Sequence, residues 1–319
     1  MTNVLIMYTA GFKFDDCQVA KLTSDYPQCT FTVTDDTQVT VEQLEAAEVI
    51  VGFVKQEFIK KAKNLAWLHL SSIGVDKHID KSIYCNPNIL LTNSAGTYGK
   101  SISDHILGFM IALSRNFPFF QANQSKALWC KKDAAKDLFG SSVCIIGLGD
   151  VGMELSRKLK ALDMYVIAVK RTITEKPSFI DELHTTDELD LVLPKADFVV
   201  LCLATTPETV NLMNRNRLKS MKKDAYFINI GRGTLVDQEA LYDCLSHKEI
   251  AGAAIDVTTP EPLPEDSPLW KLDNLIITPH CAGKSPSTGK RHFQIFHDEL
   301  GRYLNGERLK NLIDFKLRY

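Results

Sequence analysis

The stretch SVCIIGLGDVGMELSRKLKALDMYVIAVKRT, residues 142–172, decides the fold. Val143 to Ile146 is a short apolar run with β-branched residues and reads as a buried strand. Gly147, Gly149 and Gly152 follow in G-x-G-x-x-G spacing. A helical pattern comes next, with Met153, Leu155, Leu159 and Leu162 on one side and Arg157, Lys158 and Lys160 on the other. Tyr165 to Val169 closes the unit as a second strand. Strand, glycine turn, helix and strand in that order make a dinucleotide-binding fingerprint. The first glycine permits the tight turn, the second lets the backbone approach a pyrophosphate, and the third lets helix and strand pack closely. Asp150 and Val151 lie at the helix N-terminus, where unpaired N–H groups and the helix dipole favour an anion.

The second strand of such a unit usually delivers an Asp or Glu to the adenosine ribose of NAD. Here Lys170, Arg171 and Thr172 stand in that place, with no carboxylate. Two cations suit a 2′-phosphate, so NADP(H) is the expected cofactor, with NAD as the alternative and Arg171 as the main phosphate ligand. The plainer reading is that Lys170 and Arg171 are solvated residues at a strand end.

The 319 residues (35.8 kDa) are comfortable for two domains. Apolar residues at 45% and charged residues at 24% are ordinary for a globular protein. A formal charge of −2 gives no reason to expect nucleic acid or an anionic membrane surface as a partner. The eight cysteines show neither a C-x-x-C pair nor zinc spacing, and no metal is expected. Cys144 and Cys202 sit inside apolar runs and read as small core residues in a reducing compartment. Val4 to Met7 reads as a first strand rather than a signal peptide, and no run reaches the roughly 18 apolar residues of a membrane helix, so a cytoplasmic protein is expected.

Strands alternate with helices over the first 95 residues, as in a small parallel α/β domain. SISDHILGFMIALSR, residues 101–115, opens with a Ser and Asp in capping-box-like positions. Ile106 to Leu113 is apolar almost all round, which means burial between domains or against a second subunit. From Val143 to Thr278 six strands with intervening helices fit a doubly wound sheet, whose ligands bind beyond the carboxyl ends of the strands. Three polar side chains stand there: Arg232, Glu261 and His280. Taken singly they read as a surface arginine, a turn and a loop histidine; together, on the edge that faces the cofactor, they read as a site. His69, His105, His184, His247, His292 and His297 read as structural or surface residues.

The segments GLGDVG (147–152), INIGRGTLVDQEAL (228–241), AAIDVTTPEPLP (253–264), PLWKLDNLIITPHCAG (268–283) and LSSIGVDKHID (70–80) resemble, in order, the D-isomer-specific 2-hydroxyacid dehydrogenases. The resemblance runs from about Leu65 to the C-terminus. It implies an α/β fold of two domains, with a Rossmann doubly wound parallel sheet (98–286) inserted in a smaller flavodoxin-like substrate domain (1–97 with 287–319). It further implies that Arg232 binds the substrate carboxylate and keto oxygen, and that His280 is the acid/base. Glu261 would fix the His280 tautomer and favour its imidazolium form. Backbone N–H groups around Ile73 and Gly74 would hold the carboxylate, Asp256 would position the nicotinamide carboxamide, and Ala204, Thr206 and Ile230 would line the cofactor groove. A homodimer around residues 101–115 is expected on the same ground.

The chain departs from the family pattern at Lys170, in place of the usual Asp, at Ser103-Asp104-His105 and at Val257-Thr258. Glu261, where formate dehydrogenases carry Gln, argues against that branch. Leu70-Ser71-Ser72-Ile73 lacks the Arg that phosphoglycerate dehydrogenases commonly place there, so 3-phosphoglycerate is disfavoured. The leading expectation is an NADPH-dependent reductase of a small 2-keto acid (glyoxylate, hydroxypyruvate or a branched 2-keto acid) to a D-2-hydroxy acid. The alternative is a corepressor-like protein that uses the same fold to sense dinucleotides without turnover.

Overall fold

A computed structural model describes residues 1–9, 11–132, 135–173 and 175–317. The chain divides into two compact units, Met1–Tyr98 with Ser285–Tyr319, and Gly99–Lys284.

The first unit contains β1 (Thr2–Tyr8), α1 (Asp16–Asp25), β2 (Cys29–Asp35), α2 (Val41–Ala46), β3 (Val49–Gly52), α3 (Gln56–Ile59), β4 (Trp67–Leu70) and β5 (Leu90–Thr92). Its five strands pair in the order β2-β1-β3-β4-β5, all parallel. The inner strands β1, β3 and β4 are buried without alternation because a parallel sheet is covered on both faces, whereas the edge strand β2 alternates apolar with threonine. Successive side chains point to opposite faces. Leu5, Met7, Ile50, Leu68 and Leu70 therefore enter one core cluster, and Val4, Ile6, Val49, Val51 and Trp67 the other. Capping boxes, Asp15 with Gln18 and Thr40 with Gln43, start α1 and α2.

The second unit runs through α4 (Gly99–Ser114), α5 (Phe117–Gln124), β6 (Ser142–Ile146), α6 (Asp150–Ala161), β7 (Tyr165–Val169), β8 (Glu182–His184), α7 (Leu189–Val192), β9 (Phe198–Leu201), α8 (Arg215–Ser220), β10 (Tyr226–Asn229), α9 (Gln238–Ser246), β11 (Gly252–Ile255) and β12 (Leu275–Ile277). The parallel order is β12-β11-β10-β9-β6-β7-β8, and the strand order reverses between β6 and β9. This is the dinucleotide-binding arrangement with one further strand. The last helix, α10 (Thr288–Leu304), returns to the first unit and packs Phe293, Phe296 and Leu300 into the core beside Trp67.

Two expectations need correction. The sheet has seven strands rather than six, because the polar segment 182–184 pairs with β7 at the edge. Its residues Glu182, Leu183 and His184 are all half-buried, so no hydrophobic alternation marks it. The helix expected at Ser101 starts at Gly99, which puts Ser101 within its first turn rather than at a cap. Instead the Asp150 carboxylate accepts from the Gly99 N–H at 2.9 Å, and Asp104 pairs with Lys158 at 2.7 Å. A side chain on α6 thus caps α4, a long-range partner that spacing could not reveal.

Candidate active site

The crevice between β6 and β9 shows why the glycine pattern is needed. Gly147 sits at φ +103°, and a Cβ there would come within 2.7 Å of the Cys202 carbonyl oxygen. A Cβ on Gly152 would collide with the Gly147 carbonyl oxygen. At Gly149 a Cβ would meet nothing within 4 Å, so the middle glycine alone faces open space. Gly149 is also the N-cap of α6 and makes no side-chain cap hydrogen bond. An open approach, an uncapped helix start and a left-handed glycine fit a dinucleotide pyrophosphate. Because its carboxylate is engaged with Gly99, Asp150 has only its backbone to offer an anion.

Lys170 follows β7 half-buried, with its N–H on the His184 carbonyl at 3.1 Å, while Arg171 and Thr172 are exposed. On the other side of the crevice the ends of β9 and β10 are knitted together. The Ile230 N–H reaches the Leu201 carbonyl at 3.3 Å, and a Cβ on Gly231 would meet the Leu203 oxygen at 2.7 Å. Thr209 Oγ1 holds the turn by donating to the Ala204 carbonyl at 3.0 Å and accepting from the Thr206 N–H at 2.7 Å.

Arg232, Glu261 and His280 follow β10, β11 and β12, which are neighbours in the sheet. Asn229, 1% exposed, fixes the arginine turn: its side chain donates to the Arg232 carbonyl (2.9 Å) and accepts from the Gly231 N–H (3.0 Å). Arg232 Nη1 donates to the Gly231 carbonyl at 2.7 Å. The next residue, Gly233, lies against the Thr258 carbonyl so closely that a Cβ would overlap it, which draws the loops after β10 and β11 together. Glu261 Oε1 accepts from the Thr258 N–H at 3.2 Å, and Oε2 meets His280 Nδ1 at 2.9 Å. A carboxylate can only accept, so Nδ1 carries the proton and Nε2 is the other ring nitrogen, not engaged by Glu261. Both side chains remain accessible, at 54% for His280 and 41% for Glu261.

His280 itself has φ +50°, uncommon for a residue with a Cβ. Asp256 is buried at 3% exposure, and its carboxylate accepts from Thr278 Oγ1 and from the N–H groups of Cys281 and Ala282. Sequence reasoning picked out Asp256 and passed over Asn229 and Thr278. A buried Asn at the end of an apolar strand was the one available signal for Asn229.

Ile73 and Gly74 belong to the first unit, in the turn after β4. All five carbonyls from 70 to 74 are held from within. Leu70 accepts from Ser94 Oγ (2.8 Å), Ser71 from Tyr98 OH (2.7 Å), Ser72 from the Ser94 N–H (3.0 Å), Ile73 from Asn93 Nδ2 (2.8 Å) and Gly74 from Ser72 Oγ (2.7 Å). The N–H groups of Ser72, Ile73 and Gly74 have no acceptor among the described residues. A turn with its carbonyls tied back and its amides unpaired suits a carboxylate. Among the described residues no group of three or more His, Cys, Asp or Glu could hold a metal ion.

Residues 107–282 match the family model described as D-isomer specific 2-hydroxyacid dehydrogenase, NAD binding domain. A glyoxylate reductase from Thermofilum pendens is 32% identical over 269 residues, which cover 82% of this chain and 78% of that protein. A D-3-phosphoglycerate dehydrogenase from Methanocaldococcus jannaschii is 30% identical over 279 residues, 86% of this chain and 53% of the relative. The chain thus spans about half the length of the curated phosphoglycerate dehydrogenase it matches. Among solved structures, a D-isomer specific 2-hydroxyacid dehydrogenase from Xanthobacter autotrophicus in complex with NADPH and MES superposes with a TM-score of 0.85 at 25% identity, covering 100% of both chains. With the glycine crevice and the Arg232, Glu261 and His280 loops side by side on one sheet edge, these likenesses place the chain in the D-isomer specific 2-hydroxyacid dehydrogenase family.

Proposed function

We propose that the protein is an NADPH-preferring reductase that converts a small 2-keto acid to the D-2-hydroxy acid. The observation that carries this reading is the 2.9 Å pairing of His280 Nδ1 with Glu261, whose loop packs on the Arg232 loop where Gly233 meets Thr258. In this reading the Gly99–Lys284 unit holds the dinucleotide. Gly147, Gly149 and Gly152, with the backbone of Asp150 and Val151, hold the pyrophosphate. Lys170, Arg171 and Thr172 receive the adenosine end, and Ala204, Thr206 and Ile230 line the groove. The reduced nicotinamide, when bound, supplies hydride to C2 of the keto acid. Arg232 binds the carboxylate and polarises the keto oxygen through its planar fork of donors. The unpaired amides of Ile73 and Gly74 also bind the carboxylate. His280, carrying protons on both ring nitrogens, delivers the Nε2 proton to the oxygen that develops charge, while Glu261 keeps hold of the Nδ1 proton and the ring is left neutral.

The segment 70–75 carries no cationic side chain, which favours glyoxylate, hydroxypyruvate or a branched 2-keto acid over a phosphorylated one. A homodimer fits the apolar surface of α5 and the segment after it, where Phe117 is 54%, Leu128 51% and Trp129 96% exposed. A panel of 2-keto acids assayed with NADPH and with NADH tests the reading. Turnover of glyoxylate or hydroxypyruvate, faster with NADPH, is expected. NADPH binding without reduction of any 2-keto acid would refute it in favour of a dinucleotide-sensing interaction protein.

A further inference from the structure

We propose that His105 and Thr278 are positioning residues that hold His280 in its working place through Asp256. The inference rests on the reading of His280 as the acid/base. His280 occupies a left-handed conformation that a side chain with a Cβ adopts only where its surroundings impose it. Asp256 supplies those surroundings. Its main-chain carbonyl accepts the His280 N–H at 2.8 Å, its Oδ1 the Cys281 N–H at 2.9 Å and its Oδ2 the Ala282 N–H at 3.0 Å. Three consecutive amides of the turn therefore depend on one buried residue.

The carboxylate must in turn be kept from rotating. Thr278 Oγ1 lies 2.5 Å from Asp256 Oδ1 and donates its only proton there. His105 Nε2 lies 3.2 Å from the same hydroxyl. Since the hydroxyl proton is already committed to Asp256, the histidine must be the donor, so His105 carries its proton on Nε2. Its ring is held edge-on against Phe109, one turn along α4, with centroids 4.4 Å apart. The chain of contacts runs from a helix through two side chains to the carboxylate that shapes the His280 turn. It assigns a task to His105, which the sequence alone marks only as a structural histidine. It also gives Asp256 a positioning task distinct from any contact with the cofactor.

The test uses the whole protein with NADPH and glyoxylate. Thr278→Val removes a hydrogen bond to a charged group while keeping the side-chain shape, and kcat is expected to fall about tenfold. The NADPH Kd and the glyoxylate KM should stay within about twofold of the parent, since no ligand contact is removed. Thr278→Ser, which keeps the hydroxyl, should restore kcat. Amide exchange at Cys281 and Ala282, read without cofactor, should quicken in Thr278→Val. His105→Phe should lower kcat about threefold, and in the Thr278→Val background it should lower kcat no further, because the two act in series. A Thr278→Val kcat within about twofold of the parent, or additive losses in the double variant, would overturn the proposal. If Thr278→Val also loses NADPH binding, His105→Phe decides alone, and a kcat matching the parent overturns it. His280→Ala separates the two levels. If it keeps parental turnover, the acid/base reading fails and the proposal with it. If it is inactive while Thr278→Val is unaffected, only the positioning role fails.

Discussion

Lowering the pH from 7 to 5 should destabilise the first unit far more than ordinary surface titration would, and the cause is a pair of buried histidines. His69 and His292 are each 1% exposed. His69 Nδ1 lies 2.8 Å from Thr92 Oγ1, which also accepts from Trp67 Nε1, while His292 bridges Ser94 Oγ (3.0 Å) and Tyr98 OH (2.9 Å). Burial, then the neighbouring His292, pushes the His69 pKa down to about 3. Burial, then the Arg291 charge, pushes His292 down to about 4. Both folded values lie below the unfolded value of about 6.5, so below that pH the unfolded chain binds more protons and stability falls. The loss sets in near pH 6.5 and continues until the folded values are reached. Between pH 7 and 5 each histidine contributes about 2 kcal/mol of loss, about 4 kcal/mol for the pair. Because pH 5 lies above both folded values, the titration of the unfolded chain sets this figure. Buried His78, also pushed down chiefly by burial, acts in the same direction. Trp67 is fully buried and stacks on Phe296 at 5.7 Å, so its fluorescence reports this unit, whereas Trp129 and Trp270 are exposed. The urea midpoint read from Trp67 should drop by about 2 M between the two pH values. His292→Gln removes one titration and should roughly halve that drop. An unchanged midpoint at pH 5, or a His292→Gln protein that loses as much as the parent, would refute the reasoning.

Three further outcomes are expected. Arg171→Ala should lower kcat/KM with NADPH by about 10- to 100-fold, as expected for a lost charge-assisted bond, and leave NADH kinetics nearly unchanged; equal losses with both cofactors would remove Arg171 from the phosphate site. Gly152→Ala forces a Cβ onto the Gly147 carbonyl and should cost about 1–3 kcal/mol of stability, while Gly149→Ala, which meets nothing within 4 Å, should leave the melting temperature alone and weaken only NADPH binding. Calorimetry with an NADPH titration separates the two glycines, and similar melting losses in both would contradict the geometry. At His184 burial opposes the charge, but hydrogen bonds to Glu182 and Glu188 outweigh it and the pKa is raised. A raised folded value gives stability that is fully present below about pH 6.5 and lost as pH rises through the folded pKa. His184→Ala should therefore lower the melting temperature by a few degrees at pH 6 and hardly at all at pH 9, and a loss of equal size at both would show that charge is not involved.

The dinucleotide half of the fold was legible because its requirements are local in sequence. Gly152 answers to the Gly147 carbonyl and Gly147 to Cys202 just past the neighbouring strand, Gly149 keeps the approach open, and the flanking strands are mostly apolar. β8 was illegible for the opposite reason: three half-buried residues with no apolar pattern are a strand only because β7 is already in place beside them. The start of α4 was misread because its cap, Asp150, is supplied by α6. Arg232, Glu261 and His280 stood out as polar residues just past strand ends. Of the groups that set their geometry, Thr278 and His105 read as filler because their partners are distant in the chain, whereas Asn229 reaches only two and three residues ahead, to Gly231 and Arg232.

Those distant partners follow a rule. Parallel pairing brings the carboxyl ends of adjacent strands level, so a polar residue just beyond one strand can reach the turn that follows its neighbour. Asn93 and Ser94, just after β5, hold the turn after β4; Asp256, just after β11, holds the turn after β12. The chemistry of the pin then decides what each turn presents. Asn93 Nδ2 and Ser94 Oγ donate, so they take up the carbonyls of the first turn and leave its amides for an anion. Asp256 only accepts, so it takes up the amides of the second turn and leaves the His280 side chain, rather than the backbone, as the group on offer. A donor pin makes an anion site and an acceptor pin makes a platform for a side chain. That difference sets what each turn has to offer, backbone amides at the first and an imidazole at the second.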